Sequence, residues 1–203
     1  MVKGLLAMNI ICVCTGQKYS QWYVNNLKHM IDTYSGLKYD TFNVITKNSY
    51  TGVFNKLQMF RDFTKGQNIY FDLDVVIKDK VPEEIIQKDL HLVHCWWREA
   101  KHTPVNSSIM SWYGDQSHIY DFFKQDVIGL EKKYNRGMDQ FIFENIEHKS
   151  WKNICNTIQG HEYEPENYDH NIWLFNQRYM MFQEGWSGWW KNYFIENTTS
   201  KAS

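Results

Sequence analysis

Asn68-Ile69-Tyr70-Phe71-Asp72-Leu73-Asp74-Val75-Val76-Ile77 is an apolar, β-type run interrupted by two carboxylates one residue apart. Read as one strand, it sends the side chains of Asp72 and Asp74 to the same face. Two like charges that close repel each other and are costly to desolvate. A divalent cation relieves both penalties, and hard oxygen ligands favour Mg²⁺ or Mn²⁺ over zinc. Ions of that kind commonly bridge to a diphosphate. The alternative is an exposed strand end carrying two solvated aspartates, against which the apolarity of the preceding residues argues.

The segments before this run alternate in type. Residues 9–14 (NIICVC) read as a buried strand, and Thr15-Gly16-Gln17-Lys18 as a polar turn. Residues 19–34 space Trp22, Tyr23, Leu27, Met30, Ile31 and Tyr34 as a helix does. Residues 41–46 read as a second strand, residues 51–64 as a helix, and 68–77 as the third strand. This βαβαβ order implies a parallel sheet. Ligands of such sheets bind beyond the carboxyl ends of the strands, where Thr15-Gly16, Thr46-Lys47 and the aspartate pair all fall. Further along, Pro82–Ile86 reads as a short helix start, 90–97 as a strand, and Val105–Trp112 as a loop running into a strand. Residues 115–125 read as a helix, Arg136–Gln140 as a turn into another helix, 160–170 as a polar loop and 171–175 as a final strand. The tail from Asn197 reads as disordered.

With 203 residues the chain suits one domain with a substantial core. A formal net charge of −1 gives no overall basic field for nucleic acid or an anionic membrane. Cys12, Cys14, Cys95 and Cys155 lack a second pair at zinc spacing and read as reduced thiols. The N-terminal residues run directly into a strand pattern without a cleavage site, and no stretch approaches a transmembrane span, so the expected setting is cytoplasmic. Trp173, Trp186, Trp189 and Trp190 crowd the C-terminal part; aromatic faces suit sugar rings and ordinary cores alike.

YVNNL (23–27), FNKLQMF (54–60), IYFDLDVVI (69–77), VNSSIM (105–110) and GMDQFIF (137–143), in that order, resemble the GT-A fold glycosyltransferases, of the type related to galactosyltransferases and glycogenin. The resemblance covers roughly residues 9–145 and implies a three-layer α/β/α fold on a mostly parallel, Rossmann-like sheet. Within residues 1–196 it implies a nucleotide-binding half at about 9–80 and an acceptor half at 81–196. It also implies a nucleotide-sugar donor, UDP- or GDP-linked, held through Mn²⁺ or Mg²⁺, and a glycan or other hydroxyl acceptor. Asp74 would ligate the metal, and Asp72 would share it or hydrogen-bond the ribose. Lys56 would approach the diphosphate; Thr15, Gly16 and Tyr19 would border base and ribose. Asn106, Ser107 and Ser108 would contact donor or acceptor sugar, with Ser108 where the family usually has Gly. Asp139 would touch sugar hydroxyls or the reacting centre. Gln140 would lie behind the anomeric carbon in a retaining hexosyltransferase, whereas Asp139 as a general base would suit an inverting one.

One departure from the family concerns the metal shell. Many relatives supply a third ligand from a C-terminal His-Gly-Lys-Pro-like segment, and here Asn176 stands in the His place, with His161 and His170 as substitutes. His91 and His94 face opposite ways on a strand and make no cluster. Two rival readings accompany the transferase. In the first, Asp72 and Asp74 serve as nucleophile and general acid/base of a haloacid-dehalogenase-like phosphatase. That family carries its motif on the first strand, whereas two strand–helix units precede it here. In the second, the chain is a non-catalytic sugar-binding protein.

Overall fold

A computed structural model describes residues 7–15, 18–98, 103–158, 170–175 and 189–195. Its main sheet has six strands: β1 (Met8–Val13), β2 (Thr41–Ile45), β3 (Gln67–Phe71), β5 (His91–His94), β6 (Val105–Tyr113) and β7 (Lys149–Trp151), in the order β2-β1-β3-β6-β5-β7. β1 pairs in parallel with β2 and β3, and β5 in parallel with β7. β6 runs antiparallel to both its neighbours. The sheet is thus mostly parallel, as expected, with one reversed strand. A second, three-stranded sheet is formed by β4 (Val75–Ile77), β9 (Ile172–Phe175) and β8 (Asn156–Ile158), in that order.

Strand alternation sorts the core into two clusters, one on each face of the main sheet. Ile10, Cys12, Ile69 and Phe71 pack with α1 (Gln21–Thr33) and the second sheet. Ile11 and Tyr70 pack on the other side, where a 3₁₀ turn (Gly52–Leu57), α2 (Gln58–Asp62), α3 (Ser117–Gln125) and α5 (Met138–Asn145) lie. Between α3 and α5 a further helix, α4 (Val127–Lys133), is capped by the Asp126 carboxylate, which accepts from the Gly129 N–H. The helix spacing of residues 19–34 becomes α1, whose Tyr23, Val24, Leu27, Met30 and Ile31 are buried. All four cysteines are free, and burial pushes the Cys12 thiol up to about 12, which keeps it protonated and unreactive. Among the described residues, no helix is long and apolar enough to cross a membrane.

The local readings need four corrections. Residues 68–77 are not one strand: β3 ends at Phe71 and β4 begins at Val75 in the other sheet. The Asp72 N–H donates to Ser108 O (2.8 Å), its carbonyl accepts from Val75 N–H (3.3 Å), and this turn redirects the chain. Asn106, Ser107 and Ser108 lie within β6 rather than in a loop before it. The helix expected over 51–64 is a 3₁₀ turn followed by the short α2, because the buried Asn55 side chain organises the chain before it. Asn55 accepts from Ser49 N–H and Tyr50 N–H and donates to Asn48 Oδ1, Tyr50 O and Gly52 O. The strand expected over 90–97 stops at His94, and Trp96 and Trp97 occupy a turn. α4, β7 and β8 had no counterpart among the expected elements. The tail from Asn197 lies outside the described residues.

Gly66 sets the entry to β3. Its φ of +72° lies in the left-handed region, and a Cβ there would stand 2.1 Å from Ala7 O. That carbonyl accepts the Gln67 N–H (2.8 Å), so the backbone has no room to withdraw. Gly66→Ala is expected to destabilise the protein by about 2–4 kcal/mol. The check is the urea unfolding midpoint at unchanged slope.

Candidate active site

The reversed strand delivers the site. Because β6 is antiparallel to β3, its first residues meet the carboxyl end of β3: Phe71 lies opposite Ile109, and Asp72 N–H is held by Ser108 O. The ladder between β5 and β6 jumps from Leu92–Met110 to Val93–Asn106, which leaves Ser107, Ser108 and Ile109 without a partner on β5. Asn106 Oδ1 folds back to accept the Ser108 N–H (2.8 Å). A cleft of about 730 Å³ opens here, within the size range of sites for small organic ligands. Thr15, Tyr19, Lys56, Asp72, Asp74, Asn106, Ser107, Ser108 and Asp139 all border it.

The turn at residues 72–75 brings both carboxylates into this cleft, while Leu73 between them is buried in the core on the α1 side. Asp72 is a paired charge. Lys56 Nζ lies 2.7 Å from Oδ1 and 2.9 Å from Oδ2, and the Tyr70 hydroxyl donates to Oδ1. Lys56 also reaches Ser107 Oγ (3.3 Å) and Ser107 O (3.4 Å). It is therefore not a solvated helix lysine but a buried strut joining the 3₁₀ turn, the end of β3 and β6. Asp74 is only 8% exposed, and its hydrogen bond comes from an uncharged donor, the Tyr19 hydroxyl (2.6 Å). Burial first, and the charge of Asp72 second, push the Asp74 carboxyl up to about 6, although Tyr19, Lys18 and Lys56 pull it back. Burial and these same carboxylates raise the Tyr19 and Tyr70 phenols, so both remain donors.

Asp139 and Gln140 sit in the first turn of α5 and part company. Asp139 turns to the cleft, where Oδ1 accepts the Ser107 N–H (2.9 Å) and Oδ2 accepts from Arg98 Nη2 (2.7 Å). Gln140 donates to Glu144 Oε1 one helical turn on (2.8 Å) and borders a smaller hollow of about 410 Å³ instead. Arg98, Arg136 and Asp139 border both spaces. Gly16, Asn176 and His161 lie outside the described residues. His170 does not border the cleft; its carbonyl accepts from the Trp173 indole (2.9 Å). Lys18, Arg98, Arg136 and Phe175 border the cleft without having been singled out from sequence. Lys18 ends the polar turn after β1, a position that its neighbour Tyr19 already marked. Arg98 follows a Trp-Trp pair in no recognisable motif.

The residues present fit a hard divalent cation. Asp74 is a buried carboxylate hydrogen-bonded by the neutral Tyr19 hydroxyl, and its burial beside the Asp72 charge pushes it toward protonation, a penalty that a cation would relieve. Asp72 stands beside it in the same cleft. Among the described residues no three His, Cys, Asp or Glu side chains form a closed metal cage. A two-carboxylate set with the rest of the shell left to water and substrate oxygens suits Mg²⁺ or Mn²⁺ better than zinc.

No protein-family model matches the sequence, and no curated protein matches it. Solved structures do. The galactosyltransferase LgtC, solved in complex with donor and acceptor sugar analogs, superposes with a TM-score of 0.60 at 9% identity, over 92% of this chain and 94% of that one. A glycosyltransferase involved in the glycosylation of the major capsid of PBCV-1 gives 0.59 at 12% identity, over 74% and 85% of the two chains. The glycosyltransferase GlyE of Streptococcus pneumoniae TIGR4 gives 0.50 at 11% identity; 71% of this chain is covered, but only 45% of GlyE. At such identities the likeness is one of fold. The chain has the GT-A-like fold of glycosyltransferases.

The raised Asp74 carboxyl makes a stability prediction. An acid whose folded pKa lies above its unfolded value favours the folded state when protonated. That contribution is complete below about pH 4 and is lost as pH rises through about 6. Asp74→Asn removes the buried charge and keeps an acceptor for Tyr19. Without added metal it is expected to stabilise the protein by roughly 1–3 kcal/mol at pH 7.5, and by little at pH 4. Thermal unfolding at the two pH values in EDTA checks this. Lys56→Met acts oppositely, leaving the Asp72 charge without its cation and with the neutral Tyr70 hydroxyl, and is expected to cost about 3–5 kcal/mol at pH 7.5. Most of that loss should disappear in the double variant with Asp72→Asn.

Proposed function

We propose that this chain is a metal-dependent glycosyltransferase that moves a sugar from a UDP- or GDP-linked donor to a hydroxyl of a glycan or other acceptor. The observation that carries this reading is the turn at residues 72–75. It stands two carboxylates, one of them short of positive charge, in a cleft at the carboxyl end of β3, on a fold shared with glycosyltransferases.

In this reading Asp72 and Asp74 hold Mn²⁺ or Mg²⁺. The ion would act as a Lewis acid on the phosphate oxygens that gain charge as the nucleoside diphosphate departs. Asp74 supplies the less compensated oxygen. Asp72 contributes while Lys56 limits its charge and fixes its direction. Thr15, Tyr19 and Gly16, on the segment after β1, border base and ribose. The hydroxyl and amide groups of Asn106, Ser107 and Ser108 suit sugar hydroxyls. Asp139, held by Arg98 and the Ser107 N–H at the cleft, would accept from a sugar hydroxyl or act on the reacting centre. Gln140 stays the residue proposed to lie behind the anomeric carbon of a retaining enzyme, its amide donating to Glu144 in this structure, and Asp139 the base that an inverting one would use. Asn176 remains the proposed third ligand.

Calorimetry with a panel of UDP- and GDP-hexoses, with and without Mn²⁺, is the direct test. Donor binding should require Mn²⁺ and be accompanied by slow donor hydrolysis. Asp74→Ala should abolish metal-dependent donor binding and reduce hydrolysis by at least about 10³-fold, while the protein unfolds cooperatively as before. Turnover at the wild-type rate in that variant, or glycan binding indifferent to nucleotide and metal, would sink the proposal.

A further inference from the structure

We infer that Arg98 is a positioning residue for the reaction, fixing the Asp139 carboxylate between the cleft and the smaller hollow beside it. The inference rests on the proposed glycosyl transfer and adds to it a residue that no sequence motif marks.

The geometry is that of a clamp. Arg98 Nη2 donates to Asp139 Oδ2 at 2.7 Å. Nη1 of the same guanidinium donates to Val105 O at 2.9 Å and to Thr103 O at 3.4 Å. One planar group thus ties α5 to the main chain that enters β6, across 41 residues of sequence. The other carboxylate oxygen, Oδ1, takes the Ser107 N–H. Among the described residues each oxygen of Asp139 accepts from one of these donors, and each donor is itself anchored to β6 or its entry. The pair is mostly withdrawn from solvent, with 27% of the Arg98 side chain and 18% of the Asp139 side chain exposed. Gly137 lets α5 begin at this point: its φ is +109°, and a Cβ would come within 3.0 Å of Val53 Cγ2. Lysine cannot reproduce the arrangement, since a point ammonium lacks the planar fork that spans a carboxylate and two carbonyls.

The test uses whichever UDP- or GDP-hexose the wild type hydrolyses or transfers with Mn²⁺. Arg98→Met is expected to lower kcat by about 100-fold, the scale of an ångström-sized misplacement of a reacting group. The Kd of the donor with Mn²⁺, measured by calorimetry, should stay within about threefold, because Arg98 touches neither aspartate of the metal pair. Arg98→Lys should recover only part of the loss, and guanidinium ion added to Arg98→Ala should recover more than the same concentration of sodium. A purely structural arginine would show no such rescue. A kcat within twofold of wild type in Arg98→Met, or a loss confined to donor affinity, overturns the inference and leaves the transferase reading standing. If Arg98→Met does not unfold cooperatively, Arg98→Lys decides: an unchanged kcat there overturns it. A wild type that turns over no donor overturns the transferase reading, and this inference with it.

Discussion

The chain crosses from one sheet to another within Asp72-Leu73-Asp74, and the rest of the site depends on that crossing. On one side β3 is locked between β1 and β6, and on the other β4 is locked to β9. Leu73 is buried in the core on the α1 side at the wall of the cleft, and the two flanking carboxylates border the cleft with it. The crossing concentrates negative charge where strands and helices exclude water. A charge so placed must be paired, protonated or met by a cation. Asp72 takes the first course through Lys56 and Tyr70. Asp74 accepts a hydrogen bond from the neutral Tyr19 hydroxyl, and burial with the charge of Asp72 drives it toward the second. The third course is the one that the proposed reaction would use, since a cation bound there would relieve the cost that Asp74 carries without it.

The charges around the cleft are ordered along it rather than scattered. Lys56 with Asp72, and Arg98 with Asp139, are two buried or half-buried pairs bridged by Ser107, which touches Lys56 through its side chain and carbonyl and Asp139 through its N–H. One residue of β6 thereby couples the two carboxylates that the proposed chemistry needs at opposite ends of the reacting bond. The skipped register between β5 and β6 makes this possible, because it releases Ser107 and Ser108 from the ladder without detaching β6 from β3. Donors fixed in this way need no reorganisation when charge develops, and such preorganisation is where most electrostatic catalysis lies.

Much of the frame was legible in the sequence because it rests on local apolar patterning. The strands near 9–14 and 41–46, the helix over 19–34 and the parallel pairing among β1, β2 and β3 follow from periodicity and from the βαβαβ alternation. The break within 68–77 was not legible, since Phe71 and Val75 are equally apolar and only the partner strands, distant in sequence, show that they belong to different sheets. For the same reason Asn106–Ser108 read as a loop: their polar side chains look out of place in a strand until the skipped register exposes them to the cleft. The convergence of Asp72 and Asp74 was reasoned from strand alternation, but a turn produces it. Arg98 was illegible because its three acceptors are two main-chain carbonyls and a carboxylate on a distant helix, none of which leaves a trace in residue type.

The separation of Asp139 from Gln140 bears on mechanism. A pair of adjacent residues at the start of a helix points about 100° apart, so both can serve one reacting centre only if the helix is entered obliquely. Here Gly137 and the Ser107 and Arg98 donors commit Asp139 to the cleft, which turns Gln140 toward Glu144 and the smaller hollow. The group that α5 presents to the cleft is then a carboxylate, while the neighbouring amide donates to Glu144. A carboxylate can stabilise positive charge developing at an anomeric carbon or take a proton from an acceptor hydroxyl, and an amide does the second poorly. In the proposed transfer the same residue would serve either stereochemical course, with the side from which the acceptor approaches Asp139 deciding between them.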